Sequence, residues 1–275
     1  MIAETDDPGL RGAPALRIEG AGRDTFVDCV VEETPVALLY NGRPYAVMMA
    51  TPRDLADFAL GFALSEGVVE RATEFELVDC LRGEHGISLQ ALIPAARFEA
   101  LETRKRNLAG RSGCGLCGVE SLQEAIRPLG RVESDPRIDS ETVRGGLRRL
   151  AEHQPLNTRS GGVHAAAFVH PDGILVREDV GRHNALDKLI GALANAADHD
   201  AAAIAWRNGA GFLAITSRAS YEIVHKAASA GIAVIAAISA PTSLAIRLAD
   251  EAGMTLIAFA RADAMNIYTH PQRIV

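Results

Sequence analysis

Three short, nearly continuous apolar runs set the strongest limit on the fold: Phe212 to Thr216, Ile232 to Ile238 and Thr255 to Ala260. None shows the apolar-polar alternation of a strand with one wet face, so each predicts a strand covered on both sides. Two segments of helical period, Tyr221 to Ser229 and Leu244 to Ala252, lie between them. Strand-helix-strand-helix-strand is the signature of an α/β sheet. A fourth apolar run, Ala203 to Trp206, reads as one more strand. Helices are expected at Ser140 to His153 and, after Val180-Gly181, at His183 to Ala196. Ala165 to Val169 reads as a strand or the edge of a helix.

The N-terminal third has a different grain. Pro35 to Tyr40 and Tyr45 to Thr51 flank Asn41-Gly42-Arg43-Pro44, a hairpin signal. Thr51-Pro52-Arg53-Asp54 predicts a helix start, with Thr51 as N-cap and Pro52 at the first helical position. Leu55, Phe58, Ala59, Phe62 and Ala63 form its apolar stripe. Phe75 to Leu81 and Gly86 to Ile93 predict a second hairpin. Met1 to Gly12 reads as a frayed tail, and Glu102 to Ser112 as a polar stretch leading to a domain boundary. The expected division is 1–108, an α+β domain; 109–137, a flexible segment that carries a Cys-x-x-Cys and a short helix from Val119 to Ile126; and 138–275, an α/β domain.

Composition narrows the function. With 275 residues and 48% hydrophobic content the chain can bury a substantial core. Its net charge of −7 argues against a general nucleic-acid binder, although a local positive pocket for a small anion remains compatible. The apolar runs fall short of the roughly 18 residues of a membrane span. The first residues lack the charged start and apolar stretch of a signal peptide. The expectation is a soluble, cytoplasmic protein.

Four groups of residues could carry chemistry. Cys114-Gly115-Leu116-Cys117 sits among Gly113, Gly115 and Gly118 and follows Lys105, Arg106 and Arg111. Nearby cations favour the thiolate, the nucleophilic form. The pair is compatible with thiol or sulfur-transfer chemistry, with half a zinc site, or with a redox dithiol. Zinc needs two further ligands, and Cys29 and Cys80, read as buried inert thiols, form no second pair. His164, after Gly161-Gly162-Val163, is either an acid-base group or a hydrogen-bonded structural residue. The run Arg177-Glu178-Asp179-Val180-Gly181-Arg182-His183-Asn184-Ala185-Leu186-Asp187-Lys188 is either an anion site at a helix start or a capped helix with ion pairs. Ser217-Arg218-Ala219-Ser220-Tyr221-Glu222 and Ser239-Ala240-Pro241-Thr242-Ser243 each follow a strand. They are two helix caps, or the floor of one nucleotide pocket at the carboxyl ends of neighbouring strands.

Together with Tyr268-Thr269-His270-Pro271, these ordered motifs resemble the FdhD family of formate dehydrogenase accessory sulfurtransferases, from about Thr34 to Ile274. The resemblance implies that Cys114 carries a persulfide loaded by a cysteine desulfurase, with Cys117 assisting. It implies a molybdenum bis(molybdopterin guanine dinucleotide) substrate, sulfurated before insertion into formate dehydrogenase, with GDP as a surrogate ligand. It also implies a cytidine deaminase-like, three-layer α/β/α C-terminal domain and a homodimer. The zinc chemistry of deaminases is not expected, because their His-x-Glu and Pro-Cys-x-x-Cys pattern is missing, and no resident metal is assigned. The expected cofactor-binding residues are Phe259, Ala260, Arg261, Ala262, Asp263 and Ala264, with Arg182, His183, Ser217, Arg218 and Ser239. Asp263 and Ala264 replace the family's glycine and second basic residue, so Asp263 is expected to repel phosphate. A cofactor chaperone without sulfur chemistry is the alternative.

Overall fold

The computed structural model describes residues 3–4, 6–109, 129–196, 200–261 and 263–275. Cys114, Cys117, the helix expected at Val119 to Ile126, and Ala262 lie outside them. The chain is α/β, with three sheets and eight α-helices among the described residues.

The N-terminal residues form a ribbon instead of a frayed tail. Ala3–Glu4 (β1) pairs with Leu10–Glu19 (β2), which runs antiparallel to Gly22–Val31 (β3). Leu10 is buried, which anchors the ribbon despite its polar start. Its far end carries exposed Leu16, Ile18 and Val27.

A four-stranded sheet follows, in the order β5-β4-β7-β6. It comprises Thr34–Tyr40 (β4), Arg43–Ala50 (β5), Glu76–Gly83 (β6) and Gly86–Leu92 (β7). Both hairpins expected from the sequence are present. Asn41 and Gly42 turn with φ of 48° and 76°, the left-handed pair that matches strand twist in a two-residue loop. Leu55–Ser65 (α1) lays Phe58, Ala59 and Phe62 on Val36, Leu38 and Leu89 of this sheet. The helix starts later than expected. Asp54 is its N-cap, because Thr51 is fully buried and spends its polar groups on the other half of the molecule. Ala95–Ala109 (α2) takes in the polar stretch from Glu102 to Ala109, and the remainder of that stretch lies outside the described residues. Alanine, leucine and long charged residues suit a helix whether or not they suit a core.

The C-terminal half is built on a six-stranded sheet in the order β13-β12-β11-β10-β8-β9. His164–His170 (β8) and Gly173–Asp179 (β9) form a hairpin. Phe212–Ile215 (β10), Val234–Ala237 (β11) and Thr255–Ala258 (β12) are parallel, and every residue in them is buried. Asn266–Ile267 (β13) closes one edge. The helices are Ser140–Glu152 (α3), Pro155–Ser160 (α4), Arg182–Asn195 (α5), Ala201–Arg207 (α6), Tyr221–Ser229 (α7) and Ser243–Glu251 (α8). The strand expected at Ala203 to Trp206 is part of α6. Asp200 caps that helix by accepting from the Ala202 and Ala203 amides, and helix-forming alanines fill its first turn. An apolar run this short has no period that separates a buried strand from a helix.

The two halves meet where α1 crosses α5. A Cβ on Gly61 would come within 1.7 Å of the Asp187 carbonyl oxygen, and one on Gly191 within 1.9 Å of the Asp57 carbonyl oxygen. Only glycine permits this backbone approach. Lys226 of α7 seals one end of the crossing, with Nζ at 2.9 Å from Ser65 Oγ, Glu66 Oε1 and Asp187 Oδ1. Cys29 is half-buried and Cys80 exposed, so neither is the fully buried thiol expected. Both lie in β-hairpins with an open face, where apolar character does not ensure burial.

Candidate functional site

The sheet topology brings distant motifs to one edge. The parallel strands β10, β11 and β12 all end there. β8 is antiparallel to β10, so it begins there with His164, and β9 ends there at Asp179. The first turn of α5, Arg182 and His183, follows at once. Four sequence groups separated by up to about a hundred residues therefore share one rim, where ligands of open α/β sheets gather.

Backbone bonds lace the rim together beyond the strands. Ala219 N–H donates to Ala240 O (3.2 Å), and Thr242 N–H donates to Ala219 O (3.0 Å). Phe259 N–H donates to Ser239 O (3.1 Å), and Ala260 N–H to Ala237 O (3.0 Å). These bonds hold the Ser217 and Ser239 turns side by side, with Phe259 next in line. Phe259 has φ of 50°, a left-handed conformation uncommon for a bulky residue, and the residue is 41% exposed. Arg218, Arg261, Asp263 and Ala264 are exposed, Ser239 is half-buried and Ala260 is buried. The Arg261 amide closes a turn to the Ala264 carbonyl at 2.9 Å. Ser217 is buried, with its hydroxyl donated to the Arg218 carbonyl (3.1 Å).

The Glu178 to Lys188 run divides into two jobs. Its larger part is structural. Glu178 accepts from the Leu156 and Asn157 amides, and burial raises its carboxyl above the ordinary range despite those bonds. Asp179 accepts from the Thr51 amide (3.0 Å), the Gly181 amide (2.8 Å) and Asn184 Nδ2 (3.0 Å), and pairs with Lys188 Nζ at 2.6 Å. Lys188, fully buried, also donates to Thr51 O (3.0 Å). Burial pulls the Lys188 ammonium down, and Asp179 works against that pull. These groups knot the end of β5 to the start of α5.

Arg182 and His183 each keep a nitrogen outside this knot. Arg182 Nε and His183 Nε2 are both shielded from solvent and have no hydrogen-bond partner among the described residues. A buried polar atom without a partner is costly and uncommon in a native fold. The nearest carboxylate oxygen to His183 Nε2 is Glu222 Oε2, at 3.6 Å. Burial, then Arg182, pushes the His183 imidazole down to about 4, against the pull of Glu222. Burial and Arg182 also lower His164 on the same rim. Glu222 was visible only as the last residue of the Ser217 motif, where it reads as an ordinary first-turn acid. Its placement opposite His183 is a tertiary fact with no local signal.

The Tyr268 to Pro271 motif lies elsewhere. Thr269 Oγ1 accepts from the Leu256 amide (2.9 Å) and donates to Met254 O (2.7 Å), at the opposite end of β12. It pins β12 and leaves the rim untouched. Among the described residues no three His, Cys, Asp or Glu side chains group as a metal site. No helix there is long and apolar enough to cross a membrane.

Residues 31–275 match the FdhD/NarQ family. The chain belongs to that family. It is 50% identical over 272 residues to the sulfur carrier protein FdhD of Xanthomonas euvesicatoria, covering 97% of this chain and 93% of the relative. It is 50% identical over 249 residues to the FdhD protein of Cupriavidus necator, covering 90% and 84%. The family fold is also found in a Desulfotalea psychrophila chain assigned as a formate dehydrogenase accessory protein. That chain has a TM-score of 0.72 at 24% identity, over 98% of this chain and all of the other.

Proposed function

We propose that this chain carries sulfur as a persulfide on Cys114 and delivers it to a molybdenum bis(molybdopterin guanine dinucleotide) substrate before that cofactor enters formate dehydrogenase. The relatives named as sulfur carriers support the first part, since they match nearly the whole chain at half identity. In loading, the Cys114 thiolate attacks the outer sulfur of a cysteine desulfurase persulfide. A new S–S bond forms, the donor S–S bond breaks, and the desulfurase cysteine leaves as a thiolate, with no net oxidation. Cys117 assists onward delivery.

The observation that carries the substrate side is the pair of shielded, unpartnered nitrogens on Arg182 and His183. They lie on a rim that also presents Arg218 and Arg261. An anionic nucleotide would supply acceptors to the cationic groups of this rim. The reading includes a cytidine deaminase-like layering of the C-terminal half, a division of the chain near residues 109–137, a homodimer and a cytoplasmic setting.

Intact mass tests the sulfur step. Protein incubated with a cysteine desulfurase and cysteine should gain one sulfur, lost on reduction, and Cys114→Ala should gain none. Cys117→Ala should still load. Normal formate dehydrogenase activation by Cys114→Ala in cells would overturn the assignment. Nucleotide binding without any sulfur loading would leave a cofactor-holding chaperone.

A further inference from the structure

On a rim that collects cationic donors, one carboxylate stands out. Glu222 lies in the first turn of α7 with its side chain 44% exposed. Burial works against its charge. Its own backbone amide, the Ser220 hydroxyl, His183 and Arg182 outweigh that and hold the carboxyl below the ordinary range. It is therefore ionised near neutral pH, beside the place where an anionic ligand is read to bind.

Its natural partner is spoken for. Lys226, four residues on, is the spacing at which a helix pairs a glutamate with a lysine. Lys226 instead turns inward to Asp187, Glu66 and Ser65. No Lys or Arg of the described residues lies within 4.0 Å of Glu222 in an ion pair, and its only acid-base neighbour at that distance is His183. Ser220 Oγ donates to Oε2 at 2.9 Å and fixes the carboxylate in place. Ser220 thus orients Glu222 and makes no side-chain cap for its helix.

A fixed carboxylate in an anion site repels phosphate, so it suits a part of the ligand that presents donors. Guanine does so, with N1–H and the 2-amino group side by side, a fork that a carboxylate matches. Adenine has no such fork, and hypoxanthine keeps N1–H alone. We infer that Glu222, held by Ser220 beside His183, reads the donor edge of guanine and so selects guanine nucleotides. This rests on the reading of the rim as the nucleotide site. Phe259 provides the exposed aromatic surface a base can lie on, two strands away and roughly 10 Å along the sheet.

Calorimetry on the full chain tests this with GDP, IDP and ADP, on wild type and Glu222→Gln. The wild type should bind GDP about tenfold or more tighter than IDP and tighter still than ADP, as expected for a lost charge-assisted hydrogen bond. Glu222→Gln, nearly isosteric, should weaken GDP by a similar factor and bring GDP and IDP to near equality. Glu222→Asp, with a shortened reach, should recover part of the preference. A variant that weakens GDP and IDP equally, or keeps the wild-type ratio, removes Glu222 as the reader and leaves the nucleotide site standing. Wild type that binds none of the three overturns the site and the inference together.

Discussion

Gly191 of α5 sits so close to Asp57 of α1 that an added Cβ would come within 1.9 Å of the Asp57 carbonyl oxygen. Asp57 is tied down by its side chain as well. It accepts Arg177 Nη2 at 2.7 Å and Asn195 Nδ2 at 3.0 Å. The backbone therefore has little room to yield. Gly191→Ala should destabilise the protein by about 3 kcal/mol, the upper part of the range for overpacking. Urea unfolding measures it, and a loss below about 1 kcal/mol would show that α1 can shift.

Lys226 is the cation of a buried cluster. Burial opposes its charge, but Asp187 and Glu66 outweigh that and keep the ammonium protonated. Lys226→Met would leave those carboxylates uncompensated and should cost about 3–5 kcal/mol. Pairing it with Asp187→Asn should recover a good part of the loss. Denaturant titration of the single and double variants decides between a coupled pair and two independent contacts.

His183 gives the folded state a pH dependence. The unfolded imidazole takes its proton near about 6.5, while the folded one resists until about 4. Between those values the unfolded chain binds the extra proton, so stability falls as pH drops from 6.5 toward 4. The decline should be shallower in His183→Asn. Unfolding curves taken at intervals from pH 7 to 4 would show it, and parallel declines in both proteins would remove the claim.

Two exposed charges on the rim should move GDP affinity in opposite directions. Arg218→Ala should weaken binding by about 1.5–3 kcal/mol through a lost charge-assisted hydrogen bond. Asp263→Gly should tighten it, since a carboxylate is removed from the path of the phosphates. Calorimetry at low salt checks both, and raised salt should shrink the Asp263 effect first.

Much of this architecture was legible where sequence period and length agreed. The buried runs of β10, β11 and β12 alternate with two helices of clear period, and both hairpins carry their turn residues. The turns after β10 and β11 were legible as neighbours, because parallel strands must end together. Thr51 was not legible. As Thr-Pro before an apolar stripe it has every local mark of an N-cap, and only the folded chain offers it Asp179, Val180 and Lys188. The Glu178 to Lys188 run misleads in the same way. Polar residues gathered at a turn look like a site, yet most of them satisfy one another. Arg182 Nε and His183 Nε2 go without a partner, and no sequence displays that.

The Thr51 knot joins two places that are far apart in the chain. Its amide is held by Asp179, just before Arg182 and His183, and its carbonyl by Lys188, farther along the same helix. A ligand that stiffens the first turn of α5 must also stiffen the last residues of β5. The four-stranded sheet would then register occupancy of a rim it does not line. Hydrogen exchange at the Thr51 amide would report that event from a distance, slowing when nucleotide binds.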